Sequence, residues 1–180
     1  MILVAVLWLV PDMDVIVKLC KDHNVVLIGD HCESFGSKYK GSKLGNCGEV
    51  ASTFSMYFGH HLSTIEGGMV CTDDSELYDI LLMIRSHGWS RDLSLQKQKE
   101  LQAEWNVNDF NNLYTFYYPG FNLRATDLQA KIGLGQLDKA DLICENRNKA
   151  FKLYKKYIKN NELELSMDEN NFISAFAYPY

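Results

Sequence analysis

A chain of 180 residues that is 47% hydrophobic and 12% aromatic carries enough apolar side chain to bury one sizeable core, and it reads as globular. A formal net charge of -5 and the lack of any Lys/Arg cluster argue against a general nucleic-acid binder. Five scattered cysteines (Cys20, Cys32, Cys47, Cys71 and Cys144) without CxxC spacing offer no zinc or iron–sulfur ligand set, so no metal site is expected, and they fit reduced thiols in a cytoplasm.

The opening run MILVAVLWLV is too short to cross a bilayer and lacks a basic flank or cleavage site. It is expected as a buried strand, because parallel strands covered on both faces read as continuous apolar runs. Pro11 and Asp12 open a helix on which Val15, Ile16, Leu19 and Cys20 recur on one face. The run VVLIG (25–29) predicts a second strand ending at Asp30. Strand, helix, strand is the unit of a parallel sheet, whose ligands bind beyond the carboxyl ends of the strands.

Residues 38–49 read as a loop, and 50–58 and 67–72 as two more strands. A helix is expected over 73–87, capped by Asp73 with Glu76 three residues later. Residues 92–118 read as a long irregular connection. A long helix starts at a Thr126–Gln129 capping pair and bends at ENRNK (145–149). A polar linker (160–171) then leads into FISAFAYPY, the beginning of another strand.

Three stretches bear chemistry. Asp30 and Glu33, in GDHCES, are either a turn cap with a solvated acid or carboxylates aimed into a ligand crevice. His60 and His61 follow the aromatic strand in FSMYFGHH. Adjacent histidines on a strand or turn point apart, which disfavours a shared metal, whereas an imidazole suits general-base work. YPGFNLRATDLQAKIGLGQL is a turn entering a capped helix, with Gly133 and Gly135 permitting close helix packing.

In this order, PDMD, HNVVLIGDHCESFGSKYKG, FSMYFGHHLSTIEGGMV, IRSHGW and GFNLRATDLQAKIGLGQL resemble the DegT/StrS family of pyridoxal-phosphate-dependent sugar aminotransferases and dehydratases from about Val10 to Ala177. The resemblance implies an α/β fold, the three-layer sandwich of the fold-type-I large domain. Residues 1–160 would form a partial large domain lacking its N-terminal portion, and 161–180 a linker and the start of the small domain. It implies cofactor-binding roles for four residues. Asp30 would pair with the pyridine nitrogen, Glu33 would lie near the ring hydroxyl, Ser55 would bind the phosphate, and Asn122 would reach the phosphate of a neighbouring subunit.

Aminotransferases of the family read approximately F-S-F-Y-P-G-K-N-L-G where this chain reads FSMYFGHHLS, so the lysine that bonds the cofactor is replaced by His60. An imidazole cannot hold pyridoxal as a stable imine. The same replacement marks the family's sugar 3-dehydratases, and FGHH, EGGM and RSHGW are most similar to the branch acting on GDP-4-keto-6-deoxymannose. That resemblance implies His60 as catalytic base, with His61 and His87 as lesser candidates for substrate contact. It further implies pyridoxal or pyridoxamine 5'-phosphate as cofactor, a nucleotide-linked 4-keto-6-deoxy sugar as substrate and L-glutamate as amino donor. A cytoplasmic homodimer with shared active sites, serving deoxysugar and O-antigen synthesis, completes the expectation. A nucleotide-sugar aminotransferase and a truncated, non-catalytic fragment are the alternatives.

Overall fold

The computed structural model describes residues 1–6, 10–157 and 171–174. The chain forms two compact units, Met1–Cys71 with Asp127–Tyr180, and Thr72–Thr126.

The first unit is built on a four-stranded sheet of order β1-β2-β5-β6. Strands β1 (Ile2–Val4), β2 (Ile28–Asp30) and β5 (Ala51–Ser55) run parallel, and β6 (Gly68–Cys71) pairs antiparallel with β5. The opening strand is shorter and more exposed than its apolar run suggests. Among the described residues it is an edge paired only with β2, and Ile2 is 68% exposed. The rest of its expected span includes residues 7–9, which lie outside the described ones.

Helix α1 (Met13–Asp22) joins β1 to β2, with Asp12 as its N-cap accepting the Val15 N–H at 3.2 Å. Its buried side carries Met13 and Cys20, while Val15 and Leu19 face solvent. Met13 and Cys20 pack with Ala5, Leu27, Tyr39 and Leu44 to form the core beneath the sheet. The stretch read as a loop contains a small hairpin, β3 (Lys38–Tyr39) and β4 (Ser42–Lys43). The Tyr39 hydroxyl donates to Asp12 at 2.8 Å and so ties this hairpin to the cap of α1.

Two helices complete the unit, α5 (Asp127–Leu137) and α6 (Ala140–Tyr157). The break falls at residues 138–139, and ENRNK lies inside α6. Phe172 bridges Lys38, and Ile173 and Ser174 are buried, the Ile173 N–H donating to Asn148 and the Ser174 N–H to Ser37. The remainder of the expected linker and terminal strand (158–170 and 175–180) lies outside the described residues.

The second unit holds α2 (Ser75–Ile84) and α3 (Leu95–Glu104), whose Met83 and Leu101 form a core with Leu93, and the short α4 (Asp109–Asn112). The cap of α2 is Asp74, one residue later than expected, and it accepts the N–H groups of Glu76 and Leu77. The stretch expected to be irregular therefore contains two helices. A single side chain of α3, Leu101, is buried, so its sequence has no apolar stripe to betray it. Gly88, at φ +93°, and Gly120 are required by close backbone approach, since a Cβ on Gly88 would sit 1.8 Å from the Tyr118 carbonyl oxygen. No helix among the described residues is long and apolar enough to cross a membrane.

Two buried polar side chains, Glu49 and His61, link packing to pH in the first unit. His31, fully buried, meets Glu49 at 3.1 Å and Ser34 at 3.2 Å. Burial pushes the Glu49 carboxyl up, but hydrogen bonds from His31 and from the N–H groups of Glu49, Cys47 and Gly45 outweigh it and hold the group down at about 2. His61, also buried, donates from Nε2 to the Ser174 carbonyl, which fixes the tautomer. Its Nδ1 has no hydrogen-bond partner among the described residues. Burial drives the imidazole down to about 4, with Arg147 and His60 opposing its charge and the Ser174 carbonyl favouring it.

A histidine whose folded value is depressed contributes stability that is complete above its unfolded value, about 6.5, and is lost as pH falls through about 4. The thermal midpoint is therefore expected to drop between these limits, with the His61 share on the order of 3 kcal/mol. Replacing His61→Gln should flatten that part of the curve. Below it, the Glu49 contribution, lost from about 4.5 to about 2, should persist. Equal slopes for both proteins in the upper window would contradict the assignment.

Candidate active site

The site is set out from the carboxyl ends of β2 and β5. Asp30 is the last residue of β2 and pairs in register with Thr53 of β5. Because side chains alternate along a strand, Asp30, Thr53 and Ser55 share one face. Gly29, His31, Ser52 and Phe54 occupy the other, where the His31 and Phe54 rings lie 5.7 Å apart.

On the first face the Thr53 hydroxyl donates to Asp30 Oδ1 at 3.0 Å, and the Cys32 N–H donates to the same oxygen at 3.1 Å. Burial, the hydrogen bond to Asp30 and the charges of Asp30 and Glu33 together push the Cys32 thiol up to about 11. The thiol therefore stays protonated between the two carboxylates expected to face a ligand. Glu33 is half-buried in the turn that follows β2.

Ser55 ends β5. Its oxygen accepts the Tyr57 N–H at 3.2 Å, which leaves its own O–H to be donated elsewhere. The chain then turns through 56–67, closed by the Met56 N–H on Gly67 and the Thr64 N–H on Met56. His60 lies in this loop, half-buried, with its ring edge-on to Tyr57 at 5.5 Å. The neighbouring His61 points inward, its ring 5.9 Å from that of Phe35. The two histidines thus have different neighbours, His60 against Tyr57 and His61 against Phe35, and the buried His61 is placed where it contributes packing.

Helix α5 holds the loop. Gln136 accepts the Ser63 N–H at 3.0 Å and donates to the Ser63 carbonyl, while Gln129 donates to the Glu66 carbonyl at 2.6 Å. Gly133 lets the helix approach, since a Cβ there would meet Thr64 at 3.0 Å, whereas Gly135 faces open space. Ile65, β-branched, adopts φ +73°. Such a residue in the left-handed region costs about 1–3 kcal/mol and persists only where its surroundings over-determine it. The sequence pattern does not mark Thr53, Glu49 or Gln136, and it marks Gln129 as a helix cap and not as a brace on this loop. The one signal that could have found Thr53 is its two-residue spacing from Ser55.

Asn122 and His87 lie in the second unit, which brings them together. Asn122 bridges Ser86, and Arg124 reaches both residues, Nε to Asn122 Oδ1 at 3.4 Å and Nη2 to His87 Nε2 at 3.5 Å. His87 itself sits at φ +62°, two residues past the Arg85 cap of α2, with its N–H on the Phe121 carbonyl at 2.7 Å and its ring 5.2 Å from that of Trp89.

This order of elements and motifs recurs in known proteins. The model of the DegT/DnrJ/EryC1/StrS aminotransferase family matches residues 1–179. A GDP-4-keto-6-deoxy-D-mannose 3-dehydratase of Yersinia pseudotuberculosis is 36% identical over 167 residues, covering 93% of this chain and 42% of the relative. A GDP-perosamine synthase of Escherichia coli O157:H7 is 37% identical over 147 residues, covering 82% and 35%. Among solved structures, an E. coli GDP-4-keto-6-deoxy-D-mannose-3-dehydratase with bound hydrated PLP superposes with a TM-score of 0.74 at 30% identity, over 88% of this chain and 40% of that one. The architecture is that of the fold-type-I aminotransferase-like enzymes, and the chain spans less than half the length of these relatives. The chain belongs to the DegT/DnrJ/EryC1/StrS aminotransferase family.

Proposed function

We propose that this polypeptide is the partial large domain, over 1–160, of a pyridoxal/pyridoxamine 5'-phosphate-dependent nucleotide-sugar 3-dehydratase, with 161–180 leading into a small domain. The observation that carries the reading is the placement of His60 in a braced loop directly after Ser55, beside a strand whose end carries a doubly hydrogen-bonded Asp30. The donor set suits the cofactor. Asp30 offers a carboxylate to a ring N–H, Ser55 an O–H to a phosphate oxygen, and Glu33 a carboxyl near the ring hydroxyl. Asn122 would serve the phosphate of a neighbouring subunit in a homodimer.

When bound, the cofactor supplies an electron sink for bond cleavage in the attached sugar. Asp30 would hold the proton on the ring nitrogen. His60, in the column where family aminotransferases carry lysine, would take and return the proton moved during loss of the C3 hydroxyl, a role worth roughly 10²–10⁴ in rate. His87 is assigned to the substrate side, and the buried His61 is given a packing role. The substrate would be a GDP-linked 4-keto-6-deoxy sugar, the amino donor L-glutamate, and the setting the cytoplasmic synthesis of deoxysugars for O-antigen.

An aminotransferase is the second reading, favoured by the 37% identity to the perosamine synthase. Against it stands the absence of any lysine from residues 54–69.

The full-length polypeptide, incubated with pyridoxal phosphate, glutamate and GDP-4-keto-6-deoxymannose, should yield a 3-deoxy sugar by mass together with 2-oxoglutarate and ammonia. An amino sugar retaining its C3 oxygen would establish the second reading instead. Exchanging His60→Asn should lower the turnover of the dehydration about 10²-fold or more while cofactor absorbance is retained. Asp30→Asn should abolish turnover, and near-normal activity in that variant would refute the placement of the ring.

A further inference from the structure

We infer that Thr53 is a positioning residue. Its hydroxyl, acting with the Cys32 N–H, holds the Asp30 carboxylate in the orientation that keeps a proton on the ring nitrogen of a bound pyridoxal cofactor. This rests on the function proposed above. Both donors meet one oxygen, Oδ1, at 3.0 and 3.1 Å, so rotation of the carboxylate about its last side-chain bond is blocked. A carboxylate has roughly four lone-pair directions, so two local donors on one oxygen still leave room for a ligand.

Thr53 is suited to this work for reasons of backbone and rotamer. It stands in β5, flanked by β2 and β6, so its main chain is held on both sides. Its β-branched side chain is stiff about the first torsion, which fixes where the hydroxyl points. It also lies directly opposite Asp30 and two residues before Ser55, on the face that carries both cofactor-binding groups.

Orientation decides what the carboxylate does to the ring. Its negative charge favours a proton on a nearby ring nitrogen only while an oxygen is held toward that atom. Removing the hydroxyl would let the carboxylate turn away and so lower the share of protonated nitrogen.

The test uses the full-length protein loaded with pyridoxal phosphate labelled with ¹⁵N in the ring, whose chemical shift reports protonation at that atom. Thr53→Val keeps the branched shape and removes the donor, Thr53→Ser keeps the donor, and Thr53→Ala is the second donor-free variant should Thr53→Val fold poorly. Thermal midpoints of the unloaded proteins are measured alongside. The donor-free variants should show the nitrogen deprotonating about one pH unit lower, about tenfold in proton affinity, with Thr53→Ser close to the parent. A lowered midpoint with an unchanged ¹⁵N titration would overturn the inference by reducing Thr53 to a structural role, and so would equal shifts in the Ser and Val variants. Asp30→Asn separates the levels. If it moves the ¹⁵N signal while Thr53→Val does not, the inference alone fails. If Asp30→Asn leaves the signal of a bound cofactor unmoved, or the parent binds none, the proposed function fails with it.

Discussion

The parallel pairing of β2 with β5 is the constraint on which the rest of the site depends. Its register sets Asp30 opposite Thr53 and sends Ser55 one pleat further on the same face. A slip of one residue would turn His31 and Phe54 toward the face that carries Asp30, Thr53 and Ser55, so the register specifies which side chains that face presents. The opposite face secures that register from below. The buried His31 there is satisfied by Glu49 and Ser34, and its ring packs on Phe54. A one-residue slip would strand these polar groups without partners, at about 1–3 kcal/mol each.

The loop after β5 translates this rigid frame into a position for His60. Its two histidines face different surroundings, and His61 acts as an anchor, packed against Phe35 and donating to Ser174. The amide side chains of Gln129 and Gln136 clamp the loop from α5, and Ile65 is kept in a left-handed conformation that an unbraced loop would relax. The strained residue, the buried anchor and the half-buried His60 all lie within six positions of the chain. Strain of this kind is characteristic of segments that must present one side chain in a single geometry.

The sequence made legible what depends on local pattern. Asp30 at a strand terminus, the cap at Asp12 and the different neighbours of His60 and His61 all follow from rules that span a few residues. What it hid depends on tertiary partners. Cys20 and Ile16 pack inward as the helical spacing implies, but Val15 and Leu19 face solvent and Met13 is buried in their stead, because which part of the stripe is covered depends on where the sheet lies. Helix α3 carries no apolar stripe, since Leu101 alone among its described residues is buried, and so no helical period marks it. Thr53 and Glu49 look like ordinary polar residues until the register and the hairpin bring Asp30 and His31 to them. The motif order carried the family, since each motif occupies a turn or strand end where the backbone admits few alternatives.

The central claim is that an imidazole stands where relatives with transaminase chemistry use a lysine to bond the cofactor. Borohydride reduction of the full-length protein with pyridoxal phosphate, followed by peptide mass mapping, tests it most directly. The account predicts that no lysine in the chain retains a reduced cofactor adduct and that the cofactor is removed by dialysis. A stable stoichiometric adduct on one lysine would contradict it.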